Sequence, residues 1–173
     1  MTKKIIFILA MMLIVSGATQ ASADQFLKRV NDWLIMRIAY QDEDTPQYCY
    51  MVSMPYRTKV YHGDKIREPH FVVIYRAPNE YTIDVDLDFD IDPKRGVVVD
   101  IDSTPRLLEP TFDSEFVHTY SSVQDIAMIN DLMLTDGYFT VRSYDKNNNQ
   151  ALDYYSLRGF GKALRLMTRS CRY

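Results

Sequence analysis

From Trp33 onward, short runs of apolar and polar residues alternate along the chain, and turn-forming residues separate them. Runs at Trp33–Tyr40, Tyr48–Met54, Phe71–Arg76, Tyr81–Ile91, Val97–Ile101, Phe112–Thr119, Phe139–Tyr144 and Leu152–Leu157 are rich in β-branched and aromatic side chains, which suit a pleated, half-buried surface. This spacing predicts a mainly β chain, an antiparallel β-sandwich or barrel-like domain. Two segments follow a different period. Val123, Ile126, Ile129 and Met133 recur at three- and four-residue steps ahead of Asp136-Gly137, and Phe160, Ala163, Leu164 and Met167 share one helical face. They predict two short helices, over Ser122–Leu134 and Phe160–Arg169.

The most regular alternation is "YTIDVDLDFDID", residues 81–92, with an aspartate at every second position from Asp84 to Asp92. Period two sends neighbouring side chains to opposite faces, so one face is acidic and the other apolar. Val97–Asp102 repeats the pattern after Pro93-Lys94-Arg95-Gly96, which predicts a hairpin with Gly96 at a positive-φ position. With a three-residue loop Lys94-Arg95-Gly96, Phe89 faces Ile101 and Asp90 faces Asp100; the other even register sets Asp88 against Asp100 and Asp86 against Asp102. Like charges opposite one another destabilise a pair by up to about 1 kcal/mol, so a counter-charge is expected nearby. Calcium held between strands by Asp86, Asp88, Asp90, Asp100 and Asp102 is one way to supply it. The local sequence is not an EF-hand: counted from Asp84, the sixth and twelfth positions hold Phe89 and Arg95, where Gly and Glu are needed. Asp145–Gln150 also lacks that glycine, and it reads as a polar hairpin loop.

The second charged pattern lies at the C-terminus. Arg158, Lys162, Arg165, Arg169 and Arg172 follow steps of four and three, and no acidic residue occurs after Asp153. One side of the last helix is therefore cationic. Asp84, Asp86, Asp88 and Asp90, together with Arg158, Lys162, Arg165 and Arg169, are the expected interaction residues.

The first 23 residues read as an export signal: Lys3 and Lys4, an apolar run from Ile5 to Val15, and Ala21-Ser22-Ala23 before Asp24. The apolar run is shorter than the roughly 20 residues of a spanning helix. No cysteine stands at the processing site, which argues against a lipid anchor. Removing 23 of the 173 residues leaves 150, the size of a single domain over residues 24–173, and moves the formal charge from −3 to −5. This balance disfavours nucleic acid as the main partner.

Cys49 and Cys171 are the two cysteines, and in an oxidising compartment an even count suggests one disulfide. Neither has a C-x-x-C partner, so redox and zinc chemistry are poorly supported. His62, His70 and His118 are the only histidines, and H-E-x-x-H and G-x-S-x-G are absent. Carboxylates that lie mostly on one repeating face have nothing to separate their pKa values for acid–base work. No catalytic residue, resident metal or cofactor is expected, and the chain reads as a non-enzyme. Tyr48 and Tyr50 share a strand face that could stack on a ligand.

Four stretches carry a family resemblance. "YYSLRGFGKALRLMTRSC" at 154–171, "DGYFTVRSY" at 136–144, "YCYMVSMP" at 48–55 and "HFVVIYRAP" at 70–78, with Trp33, resemble the invasion-associated locus B family of exported bacterial proteins. The resemblance covers most of residues 32–171. It implies a β-sandwich-like domain in the periplasm or at the outer membrane, with no established catalytic residue or cofactor. Cys49 and Cys171 match the cysteines of one branch of the family, which supports their pairing, whereas the aspartate alternation departs from the family pattern. The function expected is that of a non-catalytic periplasmic or outer-membrane-associated envelope protein acting through protein–protein contacts, with an envelope protein or a second copy as partner and the outer-membrane surface as a further contact. The alternative is a calcium- or glycan-binding module of the envelope.

Overall fold

The computed structural model describes residues 23–39, 48–60, 67–77, 80–110, 116–118 and 122–171. The predicted export signal up to residue 22, His62 and Arg172 lie outside the described residues.

The chain forms two packed antiparallel sheets and two helices, a β-sandwich, as the alternation predicts. The first sheet runs in the order β1 (Ala23–Val30), β2 (Trp33–Ala39), β3 (Tyr48–Ser53), β5 (His70–Ala77), β6 (Glu80–Asp86) and β9 (Phe116–His118). The second comprises β8 (Thr104–Pro110), β7 (Val97–Ile101), β10 (Tyr138–Tyr144), β11 (Gln150–Ser156) and β4 (Arg57–Val60). Strand β8 pairs with β7 through most of its length and with β9 at Glu109 and Pro110, so it carries the ladder from one sheet into the other. Helices α1 (Ser122–Leu134) and α2 (Phe160–Ser170) lie within a residue of their predicted bounds.

The inward positions of both sheets build one core. Trp33, Ile35, Met51, Phe71, Val73, Ile83 and Val85 from the first sheet meet Val97, Val99, Phe139, Val141 and Tyr155 from the second, all buried. Helix α2 closes the core with Phe160, Ala163, Leu164 and Met167. Trp33 is fully buried between Phe160, with ring centroids 5.0 Å apart, and Phe71, at 6.3 Å, both edge to face. Its indole Nε1–H donates to the Ser156 carbonyl at 3.1 Å, so one side chain joins both sheets and the helix. Gly159, with φ of 90°, opens α2 where a Cβ would meet the Val30 carbonyl oxygen at 2.8 Å, a close approach only glycine allows. At its other end α2 is tied to β3 by the Cys49–Cys171 disulfide, with a Cα–Cα separation of 6.1 Å.

The predicted hairpin between residues 81–91 and 97–101 does not form. Strand β6 stops at Asp86 and pairs with β5 and β9, while both edges of β7 are taken by β10 and β8. Gly96 does take positive φ, 63°, but it ends a crossing from one sheet to the other, not a turn between paired strands. Asp90 therefore does not face Asp100. The partner of β7 is the next run along the chain, through a two-residue turn with Asp102 and Ser103 both at positive φ. The Asp145–Asn149 loop is the predicted polar hairpin turn: the Asp145 carboxylate accepts from the backbone N–H groups of Asn147 and Asn149 at 2.9 and 2.7 Å.

Three strands escape the alternation. β1 has four polar residues among its eight and no strict alternation, β4 has four residues, and β8 carries Pro105 and Pro110, which lack the N–H a ladder uses. Of the predicted strand at 112–119, residues 116–118 are described and form β9.

Candidate functional site

The aspartates of the 84–92 segment have separate surroundings. Asp84 and Asp86 stand on β6 opposite Val72 and His70 of β5. The Asp86 carboxylate lies 3.8 Å from His70 Nδ1 and accepts the Asp88 N–H at 3.0 Å. Asp88, at φ of 55°, accepts the Glu68 N–H at 3.0 Å, and Asp92 accepts the Lys94 N–H at 3.0 Å. Asp90 is exposed and accepts from Lys146 Nζ at 2.8 Å; that hydrogen bond and the ammonium charge hold its carboxyl below the usual range. Asp100 and Asp102 belong to the second sheet and its turn. A counter-charge to Asp90 comes from Lys146, and among the described residues the C-terminal cationic stripe supplies none. Among the described residues no group of three or more His, Cys, Asp or Glu side chains is placed to hold a metal ion, so the five-aspartate calcium arrangement is not assembled.

A charged pair that no local sequence pattern joins crosses the interior. Arg67 Nη2 donates to Asp153 Oδ1 at 2.6 Å, with side-chain exposures of 5% and 0%, and its Nη1 donates to the Leu87 carbonyl at 2.9 Å. The guanidinium also lies 5.0 Å from the Phe89 ring centroid. Burial pushes the Asp153 carboxyl up, while Arg67 and the Thr58 hydroxyl pull it back. Asp153 occupies an inward slot of β11 between Ala151 and Tyr155, an acid in an apolar position. That misplaced acid was the available signal. Arg67 sits outside any strand, where periodicity is silent.

Asp125 on α1 is 2% exposed, and its Oδ1 has no hydrogen-bond partner. Burial raises its pKa to about 7; the Ile83 N–H opposes this rise, and the Asp84 carboxylate reinforces it. A folded-state pKa above the unfolded one means the native state holds the proton more tightly, so stability falls as pH rises from about 4 through about 7. Asp125→Asn cannot ionise. We expect it to match the wild type in melting temperature near pH ~3, below the unfolded carboxyl value, and to exceed it near pH ~8. Parallel melting curves at both pH values would contradict this.

Arg158, just ahead of α2, and Lys162, Arg165 and Arg169 on it are all exposed and form a stripe opposite the buried face of the helix. Among the described residues none of the four makes an ion pair, and the helix contains no acid. Nearby, Arg37 Nη2 donates to the Ser170 carbonyl at 2.7 Å and ties the helix end to β2. The acidic and basic sets are therefore not brought together.

The outward face of the second sheet carries a groove of about 480 Å³, lined among others by Asp100, Asp136, Tyr138, Thr140, Arg142 and Tyr154. Tyr138 is 53% exposed, and its ring lies 5.8 Å from that of Tyr154. Tyr56, 60% exposed, continues the row at 6.3 Å from Tyr154, and Arg57 and Lys59 stand over the Tyr154 ring at 5.3 and 5.8 Å. The strand pattern points instead to Tyr48 and Tyr50 as a stacking face. In the structure the Tyr50 hydroxyl donates to Asp24 at 2.8 Å, and Arg76 lies 5.6 Å from the Tyr48 ring, so both are engaged on the first sheet. The groove residues come from strands and loops far apart in sequence, and no local spacing marks them.

Comparison with family models, with curated proteins and with solved structures found no match for the chain.

Proposed function

We propose that this is an exported, non-catalytic protein of the bacterial cell envelope, similar to invasion-associated locus B proteins, that docks a protein partner with an acidic surface through the cationic face of α2. The carrying observation is the stripe Arg158, Lys162, Arg165 and Arg169, four exposed cations without an ion-pair partner among the described residues. A block of like charge held rigid in this way repels itself and attracts an acidic surface. The helix is fixed at one end by the disulfide and at the other by Phe160 against Trp33, so docking costs little ordering. A periplasmic location is supported by the signal-like first 23 residues and by a disulfide, which persists in oxidising compartments.

Reversing the four charges to glutamate is expected to abolish recovery of the partner from native membranes solubilised in gentle detergent, with an unchanged melting temperature because all four side chains are exposed. Raising salt well above about 0.15 M should mimic the reversal on the wild type. Retention of every co-purifying protein by the reversed variant would refute the docking face.

A further inference from the structure

We propose that the groove on the outward face of the second sheet is a saccharide-binding site, and that its ligand is a neutral or N-acetylated hexose chain. Its volume of about 480 Å³ lies within the roughly 300–1,000 Å³ of small-ligand sites. Its floor is the β10–β11 pair, in continuous register from Tyr138 opposite Ser156 to Tyr144 opposite Gln150, so the side chains project from a rigid ladder.

The chemistry of the lining selects the ligand. Tyr138 and Tyr154 of the lining and Tyr56 beside it form a row of rings 5.8 and 6.3 Å apart, and the two end residues are more than half exposed. Large aromatic side chains left open to solvent on one face mark an interaction site. Pyranose rings have apolar C–H faces suited to such a row. Their hydroxyl edges both donate and accept, and the groove offers both kinds of partner in Arg142, Gln150, Thr140 and Asp100.

Competing ligand classes meet a specific obstacle. The surface is charge-balanced: a polyanion meets three carboxylates, Asp100, Asp102 and Asp136, and a polycation meets three cations, Arg142 in the groove with Arg57 and Lys59 over Tyr154. An apolar ligand would leave the groove's polar groups unpaired, which costs more than the contact returns. A planar base finds no parallel-walled slot, because the rings are inclined at 47° and 57° to one another. An uncharged polyol with flat apolar faces satisfies all four conditions. The site stands apart from α2, which packs against β1, β2 and β3 of the other sheet.

The test is titration calorimetry of the purified protein with soluble neutral and N-acetylated hexose oligomers, using oligolysine and polyphosphate as charged controls. The wild type should bind at least one oligosaccharide. Tyr138→Ala should weaken that binding about tenfold or more without moving the melting temperature, since the ring is half exposed. Arg142→Met should weaken it independently, and the variant with all four α2 charges reversed should bind as the wild type does. Failure of every oligosaccharide to bind, binding of oligolysine or polyphosphate instead, or wild-type saccharide affinity in both groove variants would overturn the proposal. Loss of partner docking with saccharide binding intact would separate the two surfaces.

Discussion

Replacing Asp153 by alanine is expected to destabilise the protein by about 3–5 kcal/mol, because it leaves the Arg67 guanidinium inside the sandwich without its anion. Both side chains are at most 5% exposed, and the pair is joined at 2.6 Å, so water cannot take over as counter-ion. The arginine would keep its hydrogen bond to the Leu87 carbonyl and its contact with the Phe89 ring, neither of which neutralises it. Arg67→Met alone should cost less, since an unpartnered buried carboxyl can take up a proton whereas guanidinium cannot give one away. The double variant Arg67→Met with Asp153→Leu removes both charges from the interior, and it should recover most of the loss. Urea unfolding of the two single variants and the double variant gives the coupling directly. Additive losses would mean that the pair does not act as a unit.

Trp33→Ala should have an effect of the same size, about 3–5 kcal/mol, through a different mechanism. Trp33 is the single tryptophan and is 0% exposed. Its removal opens a cavity bounded by Phe71 of β5 and Phe160 of α2 and leaves the Ser156 carbonyl of β11 without the indole N–H. One truncation thus loosens three elements. Trp33→Phe keeps most of the volume and loses only the hydrogen bond, which should limit its cost to about 1–2 kcal/mol. Thermal unfolding followed by far-ultraviolet circular dichroism distinguishes the two variants. Equal losses from both would assign the role of Trp33 to the hydrogen bond and not to packing.

These two residues differ in how far the sequence reveals them. A lone tryptophan at the head of an apolar run is an obvious core candidate, and β2 begins at that residue. Asp153 sits in an equally regular run, Gln150–Ser156, but period two cannot tell which of the two faces is inside when Leu152 and Tyr154 are also apolar. Its partner Arg67 is 86 positions away. The groove on the second sheet is hidden for the same reason, because Asp100, Tyr138 and Tyr154 become neighbours only once β7, β10 and β11 are laid side by side. The cationic stripe on α2 is the opposite case. Helical spacing is local, so the face formed by Arg158, Lys162, Arg165 and Arg169 is readable directly from the chain.

Local periodicity alone determined the β class, the two helices and the alternation within the regular strands, including the inward Ile83 and Val85 among the aspartates. It carried no information about which strand lies beside which, because hydrogen bonding between strands is non-local and any two strands of matching pattern satisfy it equally well. The tertiary structure decided that β6 joins β5 and β9 while β7 joins β8 and β10. A sandwich must place apolar faces on two opposed layers; the two-residue turn at Asp102–Ser103 pairs β7 with β8, and the chain between Asp86 and Val97 crosses from one sheet to the other. That crossing separated the aspartates into individual hydrogen-bonding roles and removed the like-charge pairing that alternation alone implies.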